Sequence, residues 1–303
     1  NFSPNLSSCL MISVHGRPEF ITGGVMYGGT GLHKRCGSKE TSCGHQEPQG
    51  SGDRSEKDEP KLSLMEELLL VVMDPRGFVS IWNDHVSRAL RGSILIELWL
   101  RGRLELEPAG MRRKCLSRRA VVVKSTSPTD DCMLNEALKL INDGSTHTVS
   151  DWISYLAGET WNPLKLKYHM RLVRDRIFKD LVERRILTTE KTNYWLVDIK
   201  THPIKDLSVQ KKLFSKIKDA LLENFCNDVH RVDKRILSLL MLTQYSGGID
   251  ECLAGLPNDL LRLAMKRIQD LESTDFEVES RKGAPNDLHW AVFAALNDPF
   301  VVL

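Results

Sequence analysis

The chain has 303 residues, with 42 Lys and Arg against 40 Asp and Glu, 41% hydrophobic and 27% charged. These fractions are ordinary for a globular protein and exclude wholesale disorder, collagen-like repeats and a disulfide-dense miniprotein. Seven cysteines, an odd number at irregular spacing, point to reduced thiols rather than a disulfide framework.

Residues 1–60 hold ten of the twenty glycines and end in the polar run from Gly50 to Pro60. Such a segment cannot bury enough apolar surface to offset its backbone entropy, so a disordered N-terminal tail is expected there. It also lacks the basic start of a signal peptide. Gly28-Gly-Thr-Gly31 precedes no strand-helix unit and reads as part of the tail rather than as a phosphate loop. Cys36, Cys43 and His45 are too few and too widely spaced for a zinc site, so no metal is expected.

Residues 61–303 carry 36 basic and 33 acidic side chains with no linker-like interruption, which predicts one domain. Its dominant period is helical. Apolar spacing predicts helices over Leu64–Val72, Trp82–Leu100, Leu134–Ile141, Val149–Leu156, Leu164–Arg184, Val209–Asn224, Asp233–Tyr245, Leu260–Leu271 and Asn286–Leu296. Two β-like places break that pattern. Leu104–Leu106 is set against Val121–Val123, and Ile186–Thr189 against Tyr194–Ile199 across a turn at Lys191-Thr-Asn. The fold class expected is therefore mainly α, a single helical domain with two short β-hairpins. The uncharged stretch Ile236–Ile249 is too short to span a bilayer of roughly 30 Å and reads as a buried core helix in a cytosolic protein.

The chain has no G-x-S-x-G, no Walker loop, no H-E-x-x-H and no Cys-x-x-Cys pair. With no nucleophile set beside a base, neither an enzyme nor a bound cofactor is expected. Positive charge concentrates in Leu164–Arg185, where eight Lys and Arg face three acids. On a continuous helix Lys167, Arg171 and Arg174 fall within about 60° of one another, beside an apolar stripe of Met170, Val173, Ile177 and Leu181. That cluster could receive a phosphate, or it could be a solvated face paired with Asp175 and Glu183. Tyr194, Trp195, Leu196 and Val197 are apolar on both faces of a strand, which suits either core packing or a site for a partner or membrane interface. Trp82 opens a long helix bearing Arg91 nine residues on, so the two share a ligand only if Trp82 precedes the helix or lies in its first turn.

A set of motifs carries a family resemblance: Leu64-Met-Glu-Glu-Leu-Leu-Leu70, Trp82-Asn-Asp84, Leu90-Arg-Gly92, Ile96-Glu-Leu98, Leu100-Arg-Gly-Arg103, Leu134-Asn-Glu-Ala-Leu138, Gly158-Glu-Thr-Trp-Asn162, Leu187-Thr-Thr-Glu-Lys191 and Thr201-His-Pro203. Together they resemble the Golgi phosphoprotein 3 family, from Leu62 to about Leu296. The resemblance implies a peripheral protein on the cytosolic face of the Golgi membrane, trans-Golgi in location and also cytosolic, which binds phosphatidylinositol 4-phosphate and is not an enzyme. It implies an adaptor that links cytosolic tails of glycosyltransferases to coatomer, so that those enzymes are retained or returned. An unconventional myosin and a homo-oligomer are further implied partners. Residue by residue, the family's headgroup pocket maps onto Trp82, Arg91, Arg171 and Arg174, and its membrane-inserting or oligomer hairpin onto Tyr194 to Val197. Residues 1–60 lack the family's N-terminal arginine cluster, through which coatomer is contacted.

Two other readings compete with that one. A winged-helix-like nucleic-acid-binding protein would explain helices followed by hairpins, although the domain's charge of only +3 and its apolar hairpin speak against nucleic acid. A plain helical scaffold would show no lipid dependence.

Overall fold

The computed structural model describes residues 61–79, 84–110, 114–194, 197–224, 228–284 and 286–298. The expected tail, residues 1–60, lies outside the described residues, as do Trp82, Trp195 and Leu196.

Helix α1 (Leu64–Val72) is apolar almost all round and buried from Leu64 to Val71, as a helix without a polar face must be. The backbone N–H and hydroxyl of Ser63 both donate to the Glu66 carboxylate at 2.7 and 2.9 Å, closing its first turn. Helix α2 (Asp84–Leu100) is the hub of the fold. It packs against α1, α3 (Cys132–Asn142), α4 (Val149–Ala157), α7 (Lys234–Tyr245) and α11 (Leu288–Leu296). Gly92 sets the spacing between α2 and α11, because a Cβ there would meet Val292 at 3.0 Å.

The first expected hairpin is present: β1 (Leu104–Leu106) pairs antiparallel with β2 (Val121–Val123), Leu104 opposite Val123. Helix α3 starts where Asp131 accepts from the N–H groups of Met133 and Leu134. Helix α4 starts on a reciprocal cap between Thr148 and Asp151. Their apolar stripes, among them Leu134, Leu138 and Ile141 on one and Trp152, Ile153 and Leu156 on the other, face the core.

Two expectations are corrected. The single helix over Leu164–Arg184 is broken into a 3₁₀ segment, Pro163–Tyr168, and helix α5 (Val173–Glu183), joined through Leu172 in the left-handed region at φ +54°. The second ribbon is shifted toward the C-terminus of its expected position. Strand β3 (Glu190–Tyr194) pairs antiparallel with β4 (Val197–Thr201), Glu190 opposite Thr201 and Tyr194 opposite Val197. The expected turn residues Lys191, Thr192 and Asn193 thus belong to a strand. The reason lies upstream. Helix α5 ends in a Schellman closure, with the N–H of Ile186 on the Leu181 carbonyl and that of Arg185 on Val182, and Arg185 takes φ +62°. Ile186 and Leu187 are thereby buried, and Leu187 bridges to Ile204, so they serve the core rather than the ribbon.

Helix α6 (Leu207–Asp219) continues as a π-helical turn over Ala220–Asn224. The short α8 (Ile249–Leu253) and α10 (Phe276–Lys282), with α9 (Asn258–Glu272) between them, bring the α-helices among the described residues to eleven against nine expected. The run Ile236–Ile249 is not one helix. Helix α7 stops at Tyr245, and Gly247 at φ +78° turns the chain toward α8. Among the described residues no helix is long and apolar enough to cross a membrane.

An ion network joins three of the central helices. Arg235 of α7 reaches Glu97 of α2 at 2.8 Å, Glu67 of α1 at 3.1 Å and the Leu62 carbonyl at 2.7 Å, while Arg101 holds the other oxygen of Glu97 at 2.7 Å. Burial would raise the Glu97 pKa, yet Arg235, Arg101 and the Leu64 N–H hold it below the usual carboxylate range.

Candidate functional site

The site is built where α2 meets the connection between α4 and α5. Arg88 and Arg91, three residues apart, project from the same side of α2. They are only 3% and 7% exposed. Arg88 Nη1 donates to Glu159 Oε2 at 3.0 Å. Arg91 Nη1 donates to the Ser87 carbonyl at 3.1 Å and to Ser87 Oγ at 3.0 Å, and Nη2 to the Met170 carbonyl at 3.3 Å. The two arginines therefore clamp both ends of the connection, its departure at Glu159 and its return at Met170.

Gly158 makes that path possible. It ends α4 at φ +81°, and a Cβ on it would lie 2.9 Å from the His169 ring. The Met170 N–H donates to the Leu156 carbonyl at 3.1 Å, so the returning chain is tied to the end of α4. Arg171 follows, exposed, and Arg174 is half-buried in the first turn of α5. The positive end of that helix adds to the field of the two cations.

Electrostatics bind these groups into one cluster. Burial brings the Arg91 pKa down from its ordinary value to about 10, with Glu159 opposing the shift and Arg174 adding to it. Burial lowers His169 as well, helped by the charges of Arg91 and Arg171, so the imidazole is neutral near pH 7. Arg174 is lowered by burial against the pull of Asp175. The cluster thus holds several guanidinium charges in a partly desolvated place. Glu159, itself partly exposed, is the carboxylate that pairs with Arg88 and bears on Arg91. Nε and Nη2 of Arg88 and Nε of Arg91 are buried without a hydrogen-bond acceptor among the described residues. Unsatisfied donors of this kind cost about 1–3 kcal/mol each. Planar forks, net positive charge and spare donors together suit a phosphate or similar oxyanion.

Of the expected site residues, Arg91 feels the charge of Arg174, and Arg91 and Arg171 both bear on His169. Lys167 does not join them as the helix pattern required. It stacks over the Tyr168 ring at 4.8 Å, because the break at Leu172 separates its 3₁₀ segment from α5. Arg171 likewise precedes α5 rather than riding on it. Trp82 lies outside the described residues. For the hairpin, the backbone places Tyr194 and Val197 opposite each other at the end of the ribbon, and Trp195 and Leu196, between them in sequence, lie outside the described residues. Glu159 and His169 were not singled out by sequence, and Arg88 stood there only as a neighbour of Arg91 whose part in the site was open. The usable signal was the spacing of Arg88 to Arg91 and the carboxylate within Gly158-Glu-Thr-Trp-Asn162.

A separate groove of about 530 Å³, lined by residues of and beside α1, α6 and α7, sets Lys61, Lys212, Lys216 and Arg235 against Glu67, Asp206 and Asp233. Its arginine is already committed to Glu67 and Glu97.

Two comparisons with known proteins bear on the chain. The family model described as Golgi phosphoprotein 3 (GPP34) matches residues 64–291. Vacuolar protein sorting-associated protein 74 of Eremothecium gossypii is 38% identical over 211 residues, which is 68% of this chain and 63% of that protein. The chain thus spans somewhat less than two thirds of the length of this curated relative.

Proposed function

The chain belongs to the Golgi phosphoprotein 3 family, and we propose that it is a Golgi-associated peripheral adaptor that docks by binding phosphatidylinositol 4-phosphate in the arginine cluster. The observation that supports this reading is the mutual electrostatic influence of Arg91, Arg171, Arg174 and His169 beside buried Arg88, with unpaired guanidinium nitrogens on Arg88 and Arg91. The 4-phosphate is a monoester whose oxygens accept from guanidinium forks, and neutral His169 adds a donor or acceptor without adding charge. Trp82, on the approach to α2, packs against the inositol ring or the interface.

Stable recruitment needs a second signal, since one lipid contact gives only marginal, reversible attachment. The ribbon end at Tyr194, Trp195, Leu196 and Val197 supplies it, by apolar insertion or by contact between copies in a homo-oligomer. Held at the membrane, the protein collects cytosolic tails of glycosyltransferases for coatomer vesicles, with an unconventional myosin as a further partner. Similarity to the vacuolar protein sorting-associated protein 74 of Eremothecium gossypii supports a role in sorting.

Liposome flotation tests the docking step. The protein is compared on vesicles carrying phosphatidylinositol 4-phosphate and on vesicles matched in charge with phosphatidylserine, alongside the Arg91→Ala/Arg174→Ala double variant. Flotation that requires the phosphoinositide and is lost in the double variant supports the reading. Equal flotation on both lipids reduces the site to a generic basic patch and overturns it.

A further inference from the structure

Among the described residues the three most exposed large apolar side chains are Trp161, Leu164 and Leu172, at 96, 76 and 69%. All three lie on the connection that holds the arginine cluster. Trp161 and Leu164 sit in the loop that opens at Glu159, the partner of Arg88, and closes at His169. Leu172 sits between Arg171 and Arg174.

The loop is built to present these groups. In its 3₁₀ segment, side chains three apart eclipse one another, so Leu164 shares an edge with Lys167. Lys165 belongs to a different edge and is the less exposed of the two lysines, 5.3 Å from the Tyr155 ring centre and 2.8 Å from His147 Nε2, while Lys167 lies over the Tyr168 ring. The outer edge therefore sets an apolar side chain beside a cation. Leu172 is held at φ +54°, a region that costs a non-glycine residue about 1–2 kcal/mol. Strain retained beside a binding site, on a leucine that faces solvent, calls for a functional account.

We propose that Trp161, Leu164 and Leu172 form a membrane-contact surface distinct from the ribbon, entering the interfacial layer of an anionic bilayer while the arginines hold the headgroup. The proposal rests on the phosphoinositide reading and deepens it. Charge selects the occupant: exposed Lys167 and Arg171 lie between Leu164 and Leu172 in the chain. A bilayer interface offers apolar depth and lipid phosphates at the same level, and tryptophan is favoured there. The surface is also continuous in the chain with the cluster that would hold the headgroup.

The test uses the full chain, the double variant Trp161→Ser/Leu164→Ser and the single variant Leu172→Asn. Each is measured for partition to phosphatidylcholine vesicles carrying phosphatidylinositol 4-phosphate, and for affinity to the soluble headgroup inositol 1,4-bisphosphate by calorimetry. The expected result is vesicle partition at least about tenfold weaker in the double variant, with unchanged headgroup affinity. Leu172→Asn, which tolerates the left-handed backbone, should melt no lower than the parent and still bind vesicles less well. Unchanged partition overturns the proposal and assigns the surface to a protein partner. An equal loss of headgroup affinity also overturns it, by making the loop a wall of the pocket. If the parent floats equally on phosphatidylserine vesicles while the double variant floats on neither, the surface stands and the phosphoinositide reading falls. If the parent floats on no vesicle, both fall.

Discussion

Arg91 shows why the candidate site asks for guanidinium rather than for positive charge alone. Its fork reaches Ser87 on its own helix and Met170 on the returning chain at the same time. Burial has already lowered its pKa to about 10, which still leaves it fully charged near pH 7. The same burial acting on a lysine, which starts from a lower ordinary value, would bring its loss of charge toward neutral pH. Arg91→Lys should therefore bind phosphoinositide vesicles more weakly than the parent, and its binding should fall further as pH rises from 6.5 to 8.5. The parent's binding should not fall over that window, because Arg91 keeps its proton throughout while the monoester only gains negative charge. Flotation at the two pH values decides it; a flat profile for Arg91→Lys removes Arg91 from the headgroup contact.

At the scale of elements, the site depends on how α4 ends and α5 begins. Gly158 and Leu172 both take left-handed backbone, and between them the chain makes the excursion that carries Glu159, Trp161 and Leu164 outward. Gly158→Ala would force a Cβ into that backbone conformation and against His169, at a cost of about 1–3 kcal/mol. It should also weaken headgroup binding, because His169 must move and Met170 with it. Denaturant unfolding together with calorimetry on the soluble headgroup checks both effects. A variant as stable as the parent would show that the loop re-forms without the glycine. The helix period along Leu164–Arg184 gave no warning of this break, since its apolar positions suit a continuous helix. What stops it is tertiary: Arg91 holds the Met170 carbonyl, Leu156 holds the Met170 N–H, and His169 fills the place beside Gly158.

The whole molecule is organised by α2, which carries the site at its N-terminal half and the Glu97 end of the ion network at the other. Glu97 is almost completely buried, and its charge is balanced by Arg235 and Arg101. Arg235→Ala would leave Glu67 and Glu97 without that partner and the Leu62 carbonyl without its donor. The expected cost is about 3 kcal/mol, measured as a drop in unfolding free energy. Headgroup affinity measured below the unfolding transition should be little changed, because Arg235 lies on α7 and is not among the groups of the arginine cluster. A loss of affinity without a loss of stability would instead tie the network to the site.

Composition and period alone carried the class of fold, the positions of α1, α2, α3, α4, α7, α9 and α11, and the first hairpin, because each of these buries a face whose pattern is local in the chain. The same sequence brought Arg91, Arg171 and Arg174 forward as candidates, through a family resemblance that the match over residues 64–291 supports at the level of the family. Tertiary contacts decided the rest. The register of the second ribbon follows from the closure that buries Ile186 and Leu187, and the removal of Lys167 from the cluster follows from the turn at Leu172. Glu159 and His169, and the part Arg88 plays beside them, became visible only when α2 met the α4–α5 connection. A charge 71 residues away in sequence leaves no periodic trace, and only folding brings it within 3.0 Å.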